Sequence, residues 1–203
     1  MSNRTFIIAE MSANHNGSKE IALETVRAAK RFLGKGVVAV DLAGAEGLCP
    51  MLDFKPVFDL AKELGVPYTI HAGEAGPASF VKDAMDMGAY RIGHGGHSTQ
   101  DPEVMKEAIE KQIPFELCPT SNIQCHCQPS YEEHAIIELY KAGAKVTVNS
   151  DNMTLSGVTT HTEIEKLMTR MGFTEADIRK LTENAIDAAF LSEEEKAELR
   201  AKL

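Results

Sequence analysis

No stretch of this sequence approaches the ~18 consecutive apolar residues of a membrane span. Nor is there an excess of basic side chains: 30 acidic against 21 basic residues give a formal net charge of −9. The first absence argues against a transmembrane helix. The second argues against nucleic acid or an anionic membrane surface as partner, since both select clustered lysine and arginine. Cysteine is sparse, with Cys49, Cys118, Cys125 and Cys127 the whole complement. A chain of this size can build a core without disulfides, so a reduced, cytoplasmic protein is expected. The opening Met1-Ser2-Asn3-Arg4-Thr5 carries no signal-peptide pattern, and no linker or low-complexity tract divides the chain. Residues 1–203 read as one domain, short of the ~250 residues typical of an eight-fold β/α barrel.

Short apolar runs alternate with helical periodicity throughout. The runs predict strands over 6–9, 37–42, 68–71, 90–93, 115–118 and 146–149. Between them, Ala22, Val26, Ala29 and Leu33 share one helical face, as do Val57, Leu60, Ala61 and Leu64, which Gly65 terminates. Asp101-Pro102 reads as an N-cap followed by proline in the first turn. Past the last strand only helices are expected. Ile164, Leu167, Met168 and Met171 form one stripe, and Thr174 with Asp177 and Ser192 with Glu195 read as capping boxes. Strand–helix alternation means βα units and a parallel sheet, so the fold expected is α/β: a TIM-type (β/α) barrel, truncated or chimeric, with six units rather than eight.

The residues that suggest chemistry fall just past the strands, on the loops where barrel enzymes keep their sites. His71 ends one strand and Glu74 follows three residues later; His94 sits between Gly93 and Gly95; Asp151 closes Val148-Asn149-Ser150. Imidazole and carboxylate at strand ends are what metal-assisted hydrolysis needs, one group to hold an ion and another to move protons.

From about residue 22 to 203 the chain resembles the adenosine deaminase family of metal-dependent amidohydrolases. The stretches that carry the resemblance are Gly36-Val-Val-Ala-Val-Asp-Leu-Ala-Gly44, Thr69-Ile-His-Ala-Gly-Glu-Ala-Gly76, Arg91-Ile-Gly-His-Gly95, Leu117-Cys-Pro-Thr-Ser-Asn122 and Val146-Thr-Val-Asn-Ser-Asp151. The resemblance implies zinc-dependent hydrolytic deamination of adenosine, with a purine nucleoside as partner. It implies His71 and Asp151 as ligands to Zn2+, Glu74 as the proton shuttle to the purine ring, and His94 as the residue that orients the attacking hydroxide. Gly44 would meet the purine through its backbone. Asn152 would contact the base, at a position where the family often has aspartate.

The sequence departs from that family most at its opening. The His-x-His pair of the family's first strand, which supplies half of its metal ligands, occurs nowhere in this chain. Residues 1–28 resemble instead the opening unit of sialic-acid and pseudaminic-acid synthases, so the chain reads as a chimera joined within residues 21–29. A folded scaffold without catalysis is the competing expectation, and a sugar-acid synthase a lesser one. His15 is the one histidine near the first strand, but alignment on Asn16-Gly17-Ser18 puts Asn14 at the second ligand position, with Ser12 at the first. His97 reads as a solvated loop histidine, Cys125-His126-Cys127 as a surface loop, and Met85 and Met87 as packing. The unpaired edges of a six-unit sheet predict a homo-oligomer.

Overall fold

The computed structural model describes residues 7–11 and 15–203; the positions expected to correspond to the His-x-His pair, Ser12 and Asn14, lie outside them. Elements follow in the order β1 (Ile7–Glu10), α1 (Lys19–Phe32), β2 (Val37–Leu42), α2 (Lys55–Glu63), β3 (Tyr68–Ala72), α3 (Ala78–Asp86), β4 (Arg91–His94), α4 (Pro102–Glu110), β5 (Phe115–Leu117), α5 (Pro119–Gln124), α6 (Ala135–Lys141) and β6 (Val146–Val148). The chain then continues through α7 (Met153–Ser156), α8 (Thr160–Arg170), α9 (Glu175–Ala188) and α10 (Glu193–Arg200). The six strands form one parallel sheet in sequence order, β1 to β6. This is the succession of βα units that the alternating pattern predicts. Among the described residues β1 and β6 do not pair with each other, and the sheet has two edges.

Register sorts the side chains. Leu42, Ile70, Ile92, Phe115 and Val146 lie opposite one another from strand to strand and are all buried in the core. The alternate row carries the polar groups: Asp41 opposite Thr69, Thr69 opposite Arg91, His71 opposite Gly93, and Gly93 opposite Glu116, which lies opposite Thr147. Successive residues of a strand face opposite ways, so this second row lines one face of the sheet with chemistry while the first packs against helices. Arg91 and Glu116 pair across it, Nε to Oε1, at 3.0 Å. The Arg91 guanidinium also donates to the carbonyl of Ala188 and stacks on Phe190, which seals this part of the face against the end of α9.

Helix ends follow local chemistry. Asp101 caps α4 with proline in its first turn, and both predicted capping boxes form, at Thr174–Asp177 and Ser192–Glu195. Ala22, Val26 and Ala29 of α1 are buried, as are Met85 and Met87. The stripe expected on α8 needs correction. Leu167 and Met171 are buried, but Met168 is exposed and Glu163 takes a place in the interior. The reason is electrostatic: the Glu163 carboxylate accepts the backbone N–H of Thr120 in the first turn of α5, where a helix end offers unpaired donors. Among the described residues no helix is long and apolar enough to cross a membrane.

Candidate active site

The strand tips of β2 to β6 bring the predicted residues to one rim. His71, on the polar row of β3, has room because its neighbour in β4 is glycine. A Cβ on Gly93 would stand 2.6 Å from His71 Nδ1. Across the sheet Asp41 of β2 takes His71 Nδ1 at 3.2 Å. Since a carboxylate only accepts, His71 donates through Nδ1 and its Nε2 faces the site. Burial alone would lower the His71 pKa, but the hydrogen bond and charge of Asp41 outweigh it and raise it to about 9. Burial likewise works to raise Asp41, and the bond to His71 reverses the sign, leaving its carboxyl below the usual range. At neutral pH in the absence of an ion the two form a charged pair, and an ion taken at Nε2 must displace a proton.

His94 ends β4 in a left-handed conformation, φ 57°. Strand alternation would turn its side chain to the helix-facing row with Ile92. The positive φ redirects the chain instead, and the imidazole centroid lies 5.0 Å from that of His71. Gly95 follows at φ 74°, where a Cβ would stand 2.3 Å from the Phe115 ring. Asp151 adopts φ 54° at the tip of β6. Non-glycine residues rarely occupy this region, and two of them at one rim mark a site whose surroundings hold strained backbone in place. Ser121 Oγ donates to Asp151 Oδ2 at 2.6 Å, leaving Oδ1 for another partner.

Glu74 lies among these groups. Its Oε2 is 3.7 Å from His94 Nε2, and its charge is felt with those of His71 and Asp151. Burial raises its pKa above the usual carboxylate value, against the attraction of His71. Burial and the nearby His71 charge push His94 the other way, below the usual histidine value. A carboxyl held ready to keep a proton beside an imidazole held neutral is an arrangement for proton transfer. A cavity of about 270 Å³ opens beside them, lined by Gly44, His71, Met51, Phe54 and Phe80 among others. His15 borders it too, with Nδ1 accepting from the N–H of Gly17 and its ring edge against Phe54.

The loops are tied to each other. Glu46 Oε2 accepts the N–H groups of Ala75 and Gly76, which pins the β2 loop to the one carrying Glu74. His97 is not the solvated histidine that its loop position suggested. Its Nδ1 meets the Gly76 carbonyl at 2.8 Å and its Nε2 the Cys127 carbonyl at 3.1 Å, bracing two loops. Cys125 and His126 are exposed, as a surface loop requires. Asn152 stands in the exposed loop as the N-cap of α7, its Oδ1 accepting from Leu155 N–H.

Which residues suit a metal follows from their remaining lone pairs. His71 Nε2 and Asp151 Oδ1 each belong to a group whose other atom is held by a neighbour, the arrangement that orients metal ligands. They supply two donors where tetrahedral zinc takes three or four from protein. Ligand atoms of His94, Cys118 and Asp151 also lie within 4.8 Å of one another. Burial, reinforced by the charge of Asp151, pushes the Cys118 thiol well above its ordinary pKa, which disfavours the thiolate a metal requires.

Sequence reasoning assigned no role to Asp41, Ser121, Asn122 or His134, although the first three fall inside the quoted motifs. α5 presents three consecutive buried polar residues, each with its own target: Thr120 the Tyr131 hydroxyl, Ser121 Asp151, and Asn122 His94 and His134. Three polar side chains in a row after an apolar strand were the available signal.

The sequence pattern of the adenosine deaminase family matches residues 4–203. Adenosine deaminase from Haemophilus ducreyi is 41% identical over 200 residues, covering 97% of this chain and 58% of that protein. Both matches run through the segment that resembles the synthases, the family pattern starting at residue 4. Among solved structures, adenine deaminase from Arthrobacter aurescens superposes with a TM-score of 0.89 at 29% identity, over 97% of this chain and 60% of that one. An amidohydrolase from Burkholderia ambifaria with bound zinc gives 0.88 at 26% identity, over 97% and 55%. The chain spans little more than half the length of these relatives.

Proposed function

The chain belongs to the adenosine deaminase family, and from that premise we propose that its rim carries out, or retains in part, the hydrolytic deamination of a purine nucleoside such as adenosine. The observation that carries the reading is the placing of Glu74, a partly buried carboxyl with a raised pKa, among His71, Asp151 and His94. In this reading His71 and Asp151 would hold Zn2+, which would supply a Lewis acid able to activate water near neutral pH.

The chain's own residues do the rest. Glu74 delivers a proton to a purine ring nitrogen, a task suited to a carboxyl whose pKa is raised. His94 directs Nε2 toward the attacking oxygen. Gly44, which borders the cavity beside His71 with φ 127°, lets backbone approach the purine where a side chain would intrude. Water adds at the amino-bearing ring carbon and ammonia leaves. With two ligands and no His-x-His pair, the chain would hold such an ion weakly. That deficit favours a second reading, in which the fold keeps the site's form without turnover.

Adenosine turnover, followed as loss of its absorbance band in buffer with added zinc, separates the two. The parent is expected to turn over while Glu74→Gln loses about 10²–10⁴-fold in rate and retains its far-UV spectrum. Equal turnover by parent and variant removes Glu74 from the mechanism; folded, zinc-loaded parent without turnover favours the scaffold.

A further inference from the structure

Asn122 and His134 are both buried and lie outside the roles assigned above; Asn122 bonds His94, and His134 bonds Asn122. The direction of every hydrogen bond in this series is fixed from one end. The backbone N–H of Ile136 is a donor that cannot reverse, and it points at His134 Nδ1, 3.0 Å away. His134 Nδ1 therefore accepts, and the ring's proton is on Nε2. That Nε2–H faces Asn122 at 3.2 Å, so the amide atom it meets is the oxygen. The amide's NH2 end then faces His94 Nδ1 at 2.8 Å and donates to it. His94 Nδ1 has its lone pair engaged, and its proton is on Nε2, facing Glu74.

We infer that Asn122 and His134 are positioning residues that lock His94 as the Nε2–H tautomer, making it a hydrogen-bond donor into the site and not a nitrogen ligand. The orientation matters because of what stands beside it. His94, Cys118 and Asp151 have ligand atoms within 4.8 Å of one another, and an imidazole free to choose its tautomer would complete a competing metal site there. The amide relay prevents this by occupying Nδ1 with a donor, whereas Asp41 does the reverse to His71, accepting at Nδ1 and leaving Nε2 as the nitrogen an ion can take in exchange for a proton. Two imidazoles 5.0 Å apart thus have their Nδ1 atoms engaged in opposite senses, one accepting from an amide and the other donating to a carboxylate.

The tautomer itself stands on the hydrogen bonds; its catalytic consequence rests on the deaminase reading. Imidazole nitrogen NMR shifts on isotope-labelled protein, with His94 assigned by its loss in His94→Gln, read the tautomer directly. The parent should show a protonated Nε2 and a pyridine-type Nδ1 at His94. In Asn122→Asp, the carboxylate only accepts, so Nδ1 of His94 should gain the proton. With turnover present, kcat of that variant should fall about 10²-fold, the scale for a lost proton-handling group, with KM little changed. A parent His94 protonated at Nδ1, or a folded Asn122→Asp with an unchanged His94 pattern, overturns the relay. The parent spectrum decides the matter even if the variant fails to fold. An Nε2–H parent that never deaminates adenosine contradicts the functional reading and leaves the relay standing.

Discussion

The half of the sheet from β3 to β6 and the unit that opens the chain are built to different standards. In the later half His71, Asp151 and His94 each have a partner that fixes them, Asp41, Ser121 and Asn122 in turn, and Glu163 holds the helix that carries Ser121 and Asn122. The opening unit shows large apolar side chains to solvent instead, with Ile7 at 52% exposure on β1 and Phe32 at 55% on α1. Its one histidine among the described residues, His15, accepts from a neighbouring backbone N–H at Gly17 and touches Phe54. Polar residues buried in a low-dielectric interior cost free energy unless paired. The density of buried pairing in the later half therefore marks where geometry has to be held, whereas the side-chain bonds among the described residues 15–27 of the opening unit are exposed.

The largest effect we expect outside catalysis lies in the densely bonded half. Burial pushes His134 down to about 4. A histidine whose folded pKa lies below its unfolded value binds fewer protons when folded. Its contribution is therefore fully present above pH ~6.5 and is lost as pH falls through that folded value. The loss is on the order of 3 kcal/mol, and the depressed pKa of His94 adds in the same direction. Denaturant melts between pH 7 and 4 should show His134→Gln with a flatter acid limb than the parent. Parallel limbs would mean that the buried imidazole is not what acid attacks.

A smaller effect sharpens the other side of the comparison. The open β1 edge, with Ile7 exposed, offers unpaired backbone to another strand. We expect concentration-dependent association by light scattering, reduced in Ile7→Lys, which places a charge on the edge. A monodisperse parent at high concentration would show that the edge is already protected.

Much of the fold was legible in the sequence because apolar runs and capping residues are local signals. β2 has the predicted bounds, the other strands differ from the readings by a residue or so at their ends, and the expected caps of α4, α9 and α10 are present. The junction expected within residues 21–29 falls inside α1, where Ala22, Val26 and Ala29 are buried. What escaped was nonlocal. Asp41 meets His71 from thirty residues away in sequence, and Asn122 meets His94 from twenty-eight, so neither pairing has a periodicity to reveal it. His97 was misjudged for the same reason: its two carbonyl partners come from separate loops. On α8, hydrophobicity alone favoured Met168, while the helix end at Thr120 drew Glu163 inward.

We propose that His71 and Asp151 are the metal-binding side chains of this chain and that His94, though close to both, is a donor. Zinc titration calorimetry on the parent, His71→Ala, Asp151→Ala and His94→Ala tests it most directly. The account predicts weak binding of one ion by the parent, lost in His71→Ala and in Asp151→Ala and kept in His94→Ala within about threefold, well inside the ~10-fold change that marks even an indirect partner of a metal ligand. Binding that survives without His71 and disappears without His94 would contradict it, placing the ion with Cys118 and Asp151 instead.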